Sequence, residues 1–130
     1  MRRLPLLLAA LLLAMPAAAQ EPEWRQAAEY DVLLEPFDFE PGTIRLEAGR
    51  PVRLRFVNSG QRSLSLSARR FFREARVRSG DDEEVRDGTI RLEPGERRTV
   101  VLVPARGRYS ISSANFLHSL LGMRGRIIVE

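Results

Sequence analysis

Two side chains near the C-terminus are able to ligate a soft metal: His118 and, five residues later, Met123. An imidazole and a thioether together suit Cu(I), although two such donors hold it only weakly. Ser113 precedes His118 by five residues and is a hydroxyl that a neighbouring base and an orienting acid would turn into a nucleophile. Against these stands a zero, because the chain contains no cysteine. Thiolate ligation, thiol redox chemistry and cysteine nucleophiles are all excluded. His118 is the sole histidine, so a catalytic Ser113 would have no other imidazole to draw on. No glycine-rich phosphate loop, carboxylate cluster or aromatic-basic stripe stands out either. The chain is therefore not expected to be an enzyme. Each residue also has a structural role open to it. His118 can hydrogen-bond a loop carbonyl, Met123 can fill core beside Leu120 and Leu121, and Ser113 can bond backbone.

The elements that must position these residues read as short strands broken by turns. Val52, Leu54 and Phe56 alternate with Arg53 and Arg55, a period of two that buries one face and wets the other. Ser63 to Ser67 alternates again, with Leu64 and Leu66 between serines. Further strands are expected over residues 30–34, 43–47, 89–92, 98–103, 108–113 and 126–129, and Phe37 and Phe39 alternate with Asp38 before the first turn. Pro41-Gly42, Ala48-Gly49-Arg50-Pro51, Asn58-Ser59-Gly60 and Glu93-Pro94-Gly95-Glu96 supply the turns. Residues 71–77 read as one or two helical turns, and residues 79–87 as an acidic loop. Seven or eight strands at this spacing predict an all-β, antiparallel β-sandwich with Greek-key connections.

The N-terminus sets the compartment. Arg2 and Arg3 precede an apolar run from Leu4 to Met15, and Ala17-Ala18-Ala19 provides a small-residue cleavage pattern. Residues 1–19 are expected to be a signal peptide, residues 20–29 a polar lead-in and residues 30–130 the single folded domain. The apolar run is shorter than the roughly 20 residues a spanning helix needs, and no later segment is apolar enough to cross. The expected location is the periplasm, with secretion as the alternative. Losing Arg2 and Arg3 would lower the formal charge of +4 by two. Every basic residue is arginine, and acidic residues are interspersed, so nucleic acid is not an expected partner. The local exception is Arg69, Arg70, Arg73, Arg76 and Arg78, followed by Asp81-Asp82-Glu83-Glu84, which reads as a solvated, self-paired surface rather than an anion-binding patch.

The C-terminal segment, from Tyr109 through Ser113, Asn115, His118 and Gly122-Met123-Arg124-Gly125 to the closing Ile127-Ile128-Val129, resembles the metal loop of a cupredoxin. The resemblance runs from about Tyr30 to Val129. It includes Phe37-Asp38-Phe39-Glu40-Pro41, Ala48-Gly49-Arg50-Pro51-Val52, Phe56-Val57-Asn58-Ser59-Gly60 and Phe71-Phe72. Most similar is the small bacterial subgroup named for the cupredoxin-like part of the EfeO iron-uptake protein. The resemblance implies four copper ligands: an early His, a Cys, a loop His and an axial Met. In this chain those positions fall on Leu64, Ser113, His118 and Met123, and Asn115 replaces an additional His of some relatives. A type 1 site needs a thiolate and two imidazoles, so the blue-copper site is expected to be degenerate.

The expectation is an exported cupredoxin-like binding or accessory protein with no cofactor, docking a cell-envelope protein through Phe116, Leu117 and Leu120. Arg69, Arg70 and Arg73 are expected to flank the same end of the sandwich and to favour an acidic partner. The alternative is weak Cu(I) binding or handling through His118 and Met123, linked to periplasmic metal homeostasis or electron transfer.

Overall fold

The computed structural model describes residues 21–35, 38–113 and 124–130. A short 3-10 turn at Trp24–Gln26 leads into strand β1 (Ala28–Glu35), followed by β2 (Asp38–Glu40), β3 (Thr43–Leu46), β4 (Val52–Asn58) and β5 (Leu64–Ser67). Helix α1 (Arg69–Glu74) and the two-residue β6 (Arg76–Val77) come next, then a 3-10 turn at Asp82–Val85. The chain ends with β7 (Thr89–Leu92), β8 (Arg97–Val103), β9 (Gly107–Ser112) and β10 (Arg124–Val129). Two five-stranded sheets result, ordered β2-β1-β4-β8-β6 and β3-β10-β9-β5-β7. The expected sandwich is therefore present, with β1 beginning two residues earlier than the alternation implied.

Pairing is mixed rather than purely antiparallel. β1 runs parallel to β4, with Ala28 opposite Val52, and β10 runs parallel to β3, with Arg126 opposite Thr43. Each parallel pair is made possible because the intervening chain crosses to the other sheet and returns. Turn residues announce a reversal of direction but not the strand that ends up alongside, so this feature was not available from the turns.

Period-two patterning builds the core. On β4, Val52, Leu54, Phe56 and Asn58 are buried while Arg55 is exposed. Val32 and Leu34 of β1, Ile90 and Leu92 of β7, Val100 and Leu102 of β8, and Tyr109 and Ile111 of β9 meet them between the sheets. Phe71 lies edge-on to both Phe72 and Tyr109, with ring centroids 5.3 Å apart in each case, a favourable arrangement for aromatic quadrupoles. Val101 points away from the core yet is fully buried. The segment after β6 covers that face: Arg78 N donates to the Val101 carbonyl, and Val101 N donates to the Asp81 carboxylate at 2.9 Å. The acidic segment is thus tied down, and Val85 within it joins the core.

Candidate functional site

β5 lies between β7 and β9 in its sheet. Successive side chains of a strand point to opposite faces, so Leu64 and Leu66 enter the core while Ser65 and Ser67 face the other way. Leu64 is 3% exposed and packed among apolar neighbours. Ser113 follows the last residue of β9 and is buried. Its Oγ lies 3.4 Å from Ser65 Oγ, itself buried. The structure thus brings Ser113 against Ser65, whereas the sequence singled out Leu64. The Ser-Leu-Ser-Leu-Ser alternation was the signal for it, since it sets Ser65 and Leu64 on opposite faces. These two described positions do not fit a copper ion: Leu64 has no donor atom, and Ser113 offers a neutral hydroxyl.

The neighbouring turn is held by Asn58 at the end of β4, which is 1% exposed. Its Nδ2 donates to the Arg62 carbonyl at 2.8 Å and the Leu92 carbonyl at 2.9 Å, and its Oδ1 accepts from Gly60 N at 2.8 Å. Backbone bonds from Asn58 N to Glu96 O and from Gly95 N to Asn58 O fasten the turn between β7 and β8 to the same residue. One amide therefore joins both sheets. Read from sequence, Asn58 was only a turn residue, because nothing local reports that its side chain is interior.

His118, Met123, Phe116, Leu117 and Leu120, together with Asn115, fall in residues 114–123 and lie outside the described residues. Among the described residues no group of three or more His, Cys, Asp or Glu side chains is placed to hold a metal ion. None of the described helices is long and apolar enough to cross a membrane.

The arginine-rich segment departs from expectation. Arg70 donates to the Arg108 carbonyl at 2.5 Å and stacks its guanidinium over the Tyr109 ring, 4.6 Å from the centroid. Arg108 and Ser113 stand at opposite ends of β9, about 16 Å of extended chain apart. Arg70 therefore does not flank the Ser113 end. The reason is that α1 starts beyond the C-terminal end of β5, and β5 runs antiparallel to β9 with Ser67 opposite Ser112. Self-pairing is partly as expected: Arg70 pairs with Glu74, Arg76 with Glu21 and Arg78 with Asp81. Tyr109 Oη donates to the Ala105 carbonyl at 2.8 Å. Burial raises its pKa, the Glu74 carboxylate adds to that, and Arg70 opposes it.

No family model matches the chain. It is 35% identical over 89 residues to urease subunit beta of Bacillus subtilis (strain 168), covering 61% of this chain and 72% of that one. It is 37% identical over 82 residues to urease subunit beta of Bordetella parapertussis, covering 55% and 80%. Among solved structures it is similar to reduced auracyanin from Roseiflexus castenholzii, with a TM-score of 0.58, 16% identity and coverage of 80% of this chain and 98% of that one. Auracyanin B gives a TM-score of 0.57 with 22% identity over 85% and 91% of the two chains. Copper nitrite reductase from Nitrosomonas europaea gives 0.56 with 17% identity over 81% and 50%. These solved structures are cupredoxins and show the fold. The urease relatives are a family that the sequence motifs had not singled out.

Proposed function

From the premise that the chain belongs to the family of the urease beta subunits and has a cupredoxin fold, we propose that it is a non-catalytic binding module working in a complex with another protein. The observation that carries this reading lies at the Ser113 end of β9: Leu64 is buried in the core, and the Ser113 hydroxyl lies against Ser65. Neither Leu64 nor Ser113 supplies a donor suited to copper. The relatives' name adds support, since a subunit is by definition a chain that works with others. Export through residues 1–19 to the periplasm, and placement among the EfeO-type cupredoxins, belong to the same proposal and rest on the motifs quoted above.

The docking residues in this reading are Phe116, Leu117 and Leu120, an apolar run in sequence of the kind that suits a protein partner. Cross-linking followed by pull-down from the native compartment tests it. Wild type should recover a defined partner and Leu120→Asp should not. Unchanged recovery by the variant would remove this surface.

The cupredoxin fold favours one second reading, weak Cu(I) binding through His118 and Met123, with a second copy of the chain supplying the other donors. Anaerobic Cu(I) titration of wild type against His118→Ala distinguishes it. Equal affinities would exclude it.

A further inference from the structure

The acidic run that follows the arginine-rich segment is consumed by other partners. Asp81 pairs with Arg78 at 3.0 Å and accepts from Val101 N, Glu83 pairs with Arg86 at 2.7 Å, and Glu84 pairs with Arg98 at 3.1 Å. Asp82 Oδ1 accepts from Gly80 N. Arg69 and Arg73 are left over: both are exposed, and among the described residues neither makes an ion pair. Four residues apart on α1, they sit about one helical turn apart on the same face. Both line one open cavity of about 380 Å³, whose walls include Phe72, Val77, Val85 and Gly88. Phe72 and Val85 are almost fully buried, so the floor is apolar while the rim is cationic.

Two acidic side chains also reach this cavity, Asp82 and Asp87. The Asp87 carboxylate is engaged by Thr89 N at 3.0 Å and Arg91 at 3.1 Å, which hold its pKa below the usual carboxylate range. Arg86 also lines it, carrying only the exposed Glu83 contact, a type of pair worth little in water. Gly88 closes the wall so tightly that a Cβ there would fall 2.6 Å from Arg69 Cα. The position of Arg69 is therefore set by backbone packing.

We propose that this groove binds an acidic segment of a partner polypeptide, with carboxylates on Arg69 and Arg73 and an adjacent apolar side chain on Phe72 and Val85. Charge complementarity selects the occupant, because guanidinium groups form paired hydrogen bonds to carboxylates, and the apolar floor asks for more than a bare anion. The inference rests on the binding-module reading but not on residues 114–123.

The test uses the full chain and a blocked Glu-Leu-Glu-Leu tetrapeptide, followed by amide chemical shifts. The expected result is shifts confined to residues 69–73, 77 and 82–88. Affinity should fall about tenfold in Arg69→Gln/Arg73→Gln and with Gln-Leu-Gln-Leu, a change of about 1.4 kcal/mol. Both arginines are exposed, so thermal melts should show the double variant folded, and single Arg73→Gln serves as the milder check. Equal binding of the neutral peptide, shifts elsewhere, or a double variant that binds like wild type would each overturn the proposal. So would inorganic phosphate producing the same shifts at similar affinity, which would reassign the groove to a free anion. If the groove fails while Leu120→Asp still abolishes partner recovery, the binding-module reading survives without it.

Discussion

At the scale of single residues, Asn58 and Tyr109 show how a few buried polar groups organise a chain without disulfides. Asn58 satisfies three backbone groups from two segments, the turn at Gly60 and Arg62 and the end of β7 at Leu92, and removing its amide strands all three. Each buried group left without a partner costs about 1–3 kcal/mol. Asn58→Ala should therefore lower stability by about 2 kcal/mol or more, read from urea denaturation with an unchanged m-value. Tyr109 gives a pH signature instead. Its pKa is raised in the folded state, so the native protein holds the phenolic proton after an unfolded chain has lost it near pH ~10. The contribution is complete below that pH and is lost as pH rises through the folded-state pKa. Tyr109→Phe should remove this alkaline loss of stability, and thermal melts between pH ~9 and ~11 will show whether it does. An Asp31–Arg55 pair at 2.6 Å joins neighbouring strands. It lowers the Asp31 pKa, chiefly through the hydrogen bond, but both partners are exposed and its effect on stability is small.

Among the elements, β4 is the most informative because its alternation is complete and it sits at the centre of its sheet. Leu54→Ala should cost about 2–5 kcal/mol, the range for deleting a buried Leu side chain. Arg53→Ala, one residue away on the wet face, should stay within about 0.5 kcal/mol. Similar losses at both positions would mean that the strand register is wrong, since a one-residue slip exchanges the faces. Most strands were legible for the same reason, and β7 matches the expected residues 89–92 at both ends. What remained hidden were β6, only two residues long, and the 3-10 turn at Asp82–Val85. Four consecutive acidic residues look like a solvated loop until Val85 and the Asp81 carboxylate are seen to anchor them.

For the whole molecule, the decisive comparison is between a sandwich shared with copper proteins and a sequence related to urease beta subunits. If the module reading holds, protein isolated from its native compartment should migrate in gel filtration well above the 14.8 kDa of one chain. Adding Cu(II) should then produce no intense blue band, because that colour comes from a copper–thiolate bond and the chain has no sulfur anion to supply. A tightly held, stoichiometric copper in an isolated monomer would contradict both expectations.

Composition and periodicity alone determined that this chain folds as a β-sandwich and that no thiolate chemistry is open to it. Both follow from local facts, the alternation of apolar residues and the count of one residue type. Tertiary structure decided which groups meet: Ser65 rather than Leu64 against Ser113, Arg70 on Tyr109 far from that end, and Arg69 with Arg73 left facing a groove. Those outcomes depend on strand order, on parallel pairs formed by distant segments, and on competition among 21 arginines for the side chains of 17 acidic residues. A linear pattern lists the charges; only the packed chain shows which of them are already paired.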